Sequence, residues 1–100
     1  MRGLLTFTVL WLLSKRDMYG QELAEELAKR KGSKPTPGTL YPALKTLEAN
    51  GLVDVRAEGR RKVYTITEAG RTTTLGALEW FSYAYGDMID DFRKTQTSVQ

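Results

Sequence analysis

Apolar positions in the first half of the chain recur at helical spacing and then give way to strand-like alternation. Leu4, Leu5, Phe7, Val9, Leu10, Trp11, Leu12 and Leu13 cover nearly every side of a helix, as expected of a first helix sunk into a core. Asp17-Met18-Tyr19-Gly20 breaks it. Leu23, Ala24, Leu27 and Ala28 then repeat at helical spacing, with Glu22, Glu25 and Glu26 early and Lys29, Arg30 and Lys31 late, which complements the helix dipole. Glu25 with Lys29 and Glu26 with Arg30 are favourable pairs four residues apart, and Gly32 supplies the stop.

Ser33-Lys34-Pro35 reads as a linker. Thr36 is the N-cap of a third helix and Pro37 its first residue. Leu40, Leu44 and Leu47 form the buried stripe of this helix, and Asn50-Gly51 ends it. Pro42 cannot donate to the Gly38 carbonyl and should kink or loosen the first turn. The opposite face carries Gly38, Tyr41, Pro42 and Lys45, which have no clear reason to be buried.

The period now changes. Leu52 to Ala57 and Lys62 to Thr67 read as two short strands rich in Val, Tyr, Ile and Thr, joined by a tight turn Glu58-Gly59-Arg60-Arg61 with a basic tip. Tyr64 and Ile66 point to the core. Thr67-Glu68 caps a last helix running to about Phe92, and Thr95 to Gln100 are polar and expected to fray. The expected fold is mainly α with a small β-hairpin, an α+β arrangement. Residues 1–67 form one unit, 68–93 a long C-terminal helix and 94–100 a tail. Three helices followed by a hairpin is the order of a winged helix-turn-helix, in which the third helix is the recognition helix and the hairpin the wing.

Composition narrows the chemistry. A chain of 100 residues points to a single domain. It has no cysteine and no histidine, which excludes disulfides, thiol catalysis, Cys/His zinc sites and Ser-His-Asp catalysis. No paired carboxylates or glycine-rich phosphate loop stand out, so an enzyme is not expected, nor a metal or other cofactor. The net charge of +3 is uneven: residues 1–71 hold 13 Lys/Arg against 8 Asp/Glu, whereas residues 72–100 hold 2 against 4. A polyanion would therefore meet the front of the chain. The apolar run Leu4–Leu13 is too short to span a bilayer and precedes no cleavage signal, so a cytoplasmic protein is expected.

Thr36-Pro37-Gly38-Thr39-Leu40-Tyr41-Pro42-Ala43-Leu44 resembles the signature of the PadR family of transcriptional regulators, whose Pro-Gly-Thr-Leu-Tyr-Pro-x-Leu string opens the recognition helix. Arg2-Gly3-Leu4-Leu5 resembles the start of the family's first helix, and Tyr19-Gly20 with Leu23 the start of its second. Leu47 to Val53 resembles the end of the third helix, and Arg61 to Gly70 the second wing strand with the Thr-Glu-x-Gly start of the last helix. The likeness covers roughly residues 2–71. The wing turn is shorter than in many relatives, which limits its expected reach, and the single last helix resembles the short subgroup of the family.

The helix-turn-helix order and this resemblance together imply a double-stranded DNA partner. Thr36 and Thr39 offer hydroxyls, Gly38 close approach, and Tyr41 and Lys45 longer reach beside Pro42, while Arg60, Arg61 and Lys62 offer cations for phosphates. Each has a plainer reading: Thr36 as a cap, Tyr41 as half-buried packing, the three cations as a solvated turn. In the last helix, Leu78, Phe81, Tyr85, Met88 and Phe92 repeat at spacings of three and four, widened by Leu75 and Ile89 on one side and by Ala77, Trp80 and Ala84 on the other. Packing back on the first helix would use one side; the rest implies a second copy, as the resemblance does. Some short members of the family it resembles hold flat aromatic ligands between tryptophans at the dimer interface, a resemblance that makes Trp80 a candidate effector residue as well as an interface anchor. The expectation is a homodimeric repressor acting on inverted repeats. The alternative is a winged-helix protein–protein interaction module in a larger assembly.

Overall fold

Helix α1 (Arg2–Leu13) supplies the centre of the core. The computed structural model describes residues 2–32 and 34–98, so Ser33 of the expected linker and the last two residues of the tail lie outside the described residues. Leu5, Val9, Leu10, Leu12 and Leu13 of α1 are buried. Its apolar surface is not uniformly sunk, however: Leu4 is exposed, and Phe7 and Trp11 are half-buried, each meeting a partner described below.

Met18–Tyr19 forms a short strand, β1, where the sequence pattern indicates only a break. It leads directly into α2 (Gly20–Lys31), whose Leu23 and Leu27 are fully buried. The Tyr19 N–H donates to the Glu22 carboxylate at 2.9 Å, which holds the first turn and keeps the Glu22 carboxyl below its ordinary range, with Arg16 adding to the effect. Gly32 ends α2 at φ +80°, and its N–H donates to the Ala28 carbonyl. Of the two expected four-apart ion pairs, neither forms as such. Lys29 bonds Glu26, three residues back, at 2.8 Å, and Arg30 turns to the Trp11 ring, 4.5 Å from its centroid. An indole face gives the guanidinium a half-buried partner, whereas an exposed pair on the helix surface contributes little.

Helix α3 (Pro37–Ala49) buries Leu40, Leu44 and Leu47 as its spacing requires. Pro42 sits within a helix that continues through it. The exit is a Schellman arrangement: Leu52 N–H donates to the Leu47 carbonyl and Gly51 N–H to that of Glu48, with Gly51 at φ +73°. Asn50 stays at φ −86°, so the glycine alone takes the left-handed conformation.

Strands β2 (Val53–Glu58) and β3 (Arg61–Ile66) form the hairpin, and β3 is central in a three-stranded antiparallel sheet of order β1-β3-β2. Met18 faces Tyr64 and Tyr19 faces Val63; Val53 faces Ile66 and Glu58 faces Arg61. A central strand has partners on both edges, and Val63, Tyr64 and Ile66 are all buried in it. Gly59-Arg60 is the whole turn. Only Gly59 has positive φ, +64°, as in a type II′ hairpin.

Helix α4 (Glu68–Ser98) runs past the end near Phe92 that the apolar pattern suggests. Its start is tied to the end of α3 by Thr67, whose hydroxyl donates to the Gly51 carbonyl at 2.7 Å and accepts from the Gly70 N–H at 3.0 Å. Gly70 is required here: a Cβ at this position would run into the Leu52 carbonyl oxygen and stand 2.7 Å from Ile66 Cγ1. Phe81 stacks on Phe7 of α1 at 5.4 Å, and Arg71 donates to the Ser14 carbonyl at 3.4 Å. A 31-residue helix is about 46 Å long, and it accounts for the 52 Å long axis of the molecule.

Candidate nucleic-acid interface

The three leucines that bury one side of α3 leave the other side to solvent. Gly38, Thr39, Tyr41, Pro42 and Lys45 are all exposed, in accord with the pattern. Thr36 occupies the N-cap position, but its hydroxyl caps no backbone N–H; it lies 3.1 Å from the Thr39 hydroxyl. Two hydroxyls are thus paired at the helix start, with the dipole's positive end behind them. Tyr41 is 46% exposed and rests its ring over the start of α2, where a Cβ on Gly20 would meet Tyr41 Cε1 and Oη at 3.2 Å. Gly20 therefore makes room for Tyr41. This explains why a glycine follows Tyr19, a need that the motif alone does not reveal.

The hairpin places its cations differently from the expected basic tip. Arg60 alone lies in the turn; Arg61 and Lys62 belong to β3, and strand alternation sends their side chains to opposite faces. The Arg61 guanidinium stacks over the Tyr19 ring at 4.3 Å. The Tyr19 hydroxyl donates to Glu58 Oε1 at 2.7 Å, and that carboxylate pushes the phenol above its ordinary pKa while Arg61 pulls against it. Arg56 approaches Glu58 at 3.4 Å and Asp17 at 3.8 Å. Tyr19, Asp17, Arg56, Glu58 and Arg61 thus fasten the turn end of the hairpin to β1. Sequence reasoning missed this network because a two-residue strand has no period to detect, and its partners lie some forty residues away.

The exposed side of α4 carries Leu75, Leu78, Trp80, Tyr85, Met88, Ile89 and Phe92. Phe81, expected in the same seam, is half-buried against Phe7 and is flanked by Trp80 and Tyr85 at centroid distances of 5.4 and 6.0 Å. Trp80 meets Tyr85 edge-on at 5.8 Å and remains 59% exposed. Among the described residues, no cluster of three Asp, Glu, Cys or His could hold a metal, and no helix is long and apolar enough to cross a membrane.

Residues 9–75 match the family described as the transcriptional regulator PadR-like family. A transcriptional regulator of Mycobacterium tuberculosis is 40% identical over 77 residues, covering 70% of this chain and 68% of its own. The transcriptional activator GvpE of Haloferax mediterranei is 37% identical over 65 residues, 64% of this chain and 34% of its own, so the chain spans about a third of that relative. Among solved structures, a transcriptional regulator from Clostridium thermocellum superimposes with a TM-score of 0.75 at 28% identity, covering 91% of each chain. A PadR-like transcription factor from Bacteroides fragilis gives 0.74 at 25% identity, again covering 91% of each. The fold is that of winged-helix regulators, whose function is control of transcription rather than catalysis. With a matching profile across most of its length and relatives of the same kind in sequence and structure, the chain belongs to the PadR-like family of transcriptional regulators.

Proposed function

We propose that the chain is a homodimeric, sequence-specific repressor that binds inverted-repeat operators in double-stranded DNA in the cytoplasm, without a cofactor. The observation that carries this reading is the outer face of α3: Gly38, Thr39, Tyr41, Pro42 and Lys45 are exposed above a stripe of buried leucines. In the major groove, Tyr41 and Thr39 would meet base edges. Thr36, Lys45 and the wing residues Arg60, Arg61 and Lys62 would meet phosphates. Of these cations Arg61 would act chiefly through Tyr19, by holding the wing in place.

The exposed apolar row on α4 supports dimerisation, because monomers rarely leave so much contiguous apolar surface in water. A two-fold axis through α4 would set two α3 helices about one DNA turn, ~34 Å, apart. A flat aromatic effector resting against Trp80 would then lie within the dimer contact and release the operator. GvpE is named an activator; repression is proposed here for a dimer that occludes promoter DNA, and a promoter-fusion reporter decides the sign.

Selection from a random duplex pool tests the reading. Enrichment should yield an inverted repeat, and substitution of Thr39 or Tyr41 should change the preferred sequence while wing substitutions weaken all sequences alike. A pool that shows no enrichment, or equal effects from both sets of variants, would reject it.

A further inference from the structure

Gly20 stands where helix chemistry favours a side chain. It is the first residue of α2, and glycine is the weakest helix former after proline. Its backbone does not call for a glycine either: the glycines with positive φ among the described residues are Gly32, Gly51 and Gly59. Gly20 is buried, so no ligand reaches it directly. What sets the position apart is its neighbour. The three atoms that a Cβ here would meet first all belong to Tyr41: Cε1 and Oη at 3.2 Å and Cζ at 3.6 Å.

Tyr41 is therefore gripped on one edge and open on the other, where it is 46% exposed on the outer face of α3. Tyr64 of β3 is a second neighbour: burial raises its phenol above the ordinary pKa, and the nearby Tyr41 and Glu48 add to the effect. The seat under the ring is main chain, and it is fixed, because the Tyr19 N–H just before it donates to Glu22 at 2.9 Å. A tyrosine held by its own helix alone would sample several rotamers; this one has its hydroxyl end laid against the start of α2. A methyl at position 20 would push ring and helix start apart by a few tenths of an ångström. Hydrogen bonds weaken steeply as their geometry departs from the preferred one, so a displaced phenol would lose a contact with a base edge while the fold survives.

We infer that Gly20 is a positioning residue for DNA recognition: by lacking a side chain it seats the Tyr41 phenol, and through Tyr41 it sets which duplex sequence the chain prefers. The inference rests on the proposed reading of α3 as the helix that enters the major groove. Gly20 itself touches no DNA.

Gly20→Ala, Tyr41→Ala and the double variant test it, each as the full chain against two duplexes: the operator selected with the parent chain, and a scrambled duplex of equal length. Gly20→Ala should fold like the parent and lower the ratio of operator to scrambled affinity about three- to tenfold, as for one lost hydrogen bond. Affinity for the scrambled duplex should not change. Tyr41→Ala should lower the ratio at least as far, and adding Gly20→Ala to it should lower the ratio no further, since the methyl then has room. In the free protein, the Tyr41 ring signals, identified by their absence from Tyr41→Phe, should shift in Gly20→Ala while the amide signals of α1 stay in place. An unfolded Gly20→Ala chain, an equal loss for both duplexes, or the same loss from Gly20→Ala with and without Tyr41 would each overturn the inference and leave Gly20 a packing residue alone. Selection that yields no preferred duplex for the parent would reject the proposed function and this inference with it. A parental preference that Gly20→Ala leaves intact would reject the inference alone.

Discussion

Phe92→Ala tests the proposed dimer more cleanly than any substitution in the core. Phe92 is 62% exposed and lies outside the core cluster, so its removal should leave the fold of one subunit intact. Burying a whole phenylalanine contributes about 1.5–3 kcal/mol. Covering only the part still in water should contribute about 1–2 kcal/mol per protomer, and the two-fold axis counts it twice, about 2–4 kcal/mol. The dimer dissociation constant should therefore rise about 30- to 1,000-fold. Sedimentation equilibrium of both proteins across nanomolar to micromolar concentrations reads this directly. Phe81→Ala is the contrast: because Phe81 stacks on Phe7 at 5.4 Å, it should lower subunit stability as well. An unchanged dissociation constant for Phe92→Ala would refute the argument. A native protein that sediments as a well-folded 11.3 kDa species at micromolar concentration would do the same.

Gly70→Ala should be severely destabilising, by about 3 kcal/mol or more, because the added methyl meets backbone at Leu52 rather than a side chain able to turn aside; thermal unfolding would show it, and a near-native midpoint would contradict the packing. Glu22 has a lowered pKa from the Tyr19 N–H and from Arg16. A depressed carboxyl contributes its stability above the unfolded value and loses it as pH falls, here from 4.5 down through the folded value. Glu22→Gln should flatten that part of the acid-unfolding curve, and an unaltered curve would remove the Glu22 cap from the account. Tyr19→Phe keeps the ring under Arg61 but loses the bond to Glu58, so amide exchange in β2 and β3 should quicken severalfold while α1 and α3 are unaffected; equal exchange would mean that the phenol does not fasten the hairpin.

Much of this architecture was legible because it rests on local rules. The leucine stripe of α3, the stop at Gly32 and the Thr67 cap are each written in a few adjacent residues, and all three stand as read. What escaped reading depends on distant partners. β1 exists only because Tyr64 and Val63 pair with it across the fold. Arg30 leaves Glu26 because Trp11, nineteen positions earlier, offers it a ring. Arg61 leaves the expected basic tip because a two-residue turn begins the strand one residue sooner, over Tyr19. Helix α4 outruns its apolar seam because backbone bonding, once nucleated, continues through polar residues such as Thr95, whose hydroxyl donates to the Asp91 carbonyl. For the candidate interface, the exposed face of α3 was readable from its spacing, whereas the division of wing cations between tip and strut was not.

The central claim, that α3 and the wing form a DNA-binding surface, is tested most directly by the salt dependence of duplex binding. Affinity for the selected operator should fall steeply with salt concentration. The folded double variant Arg60→Ala, Lys62→Ala should lower the log–log slope by about 0.9 per lost phosphate contact, about 1.8 in all. Binding that is independent of salt, or a variant that keeps the parental slope, would contradict the account.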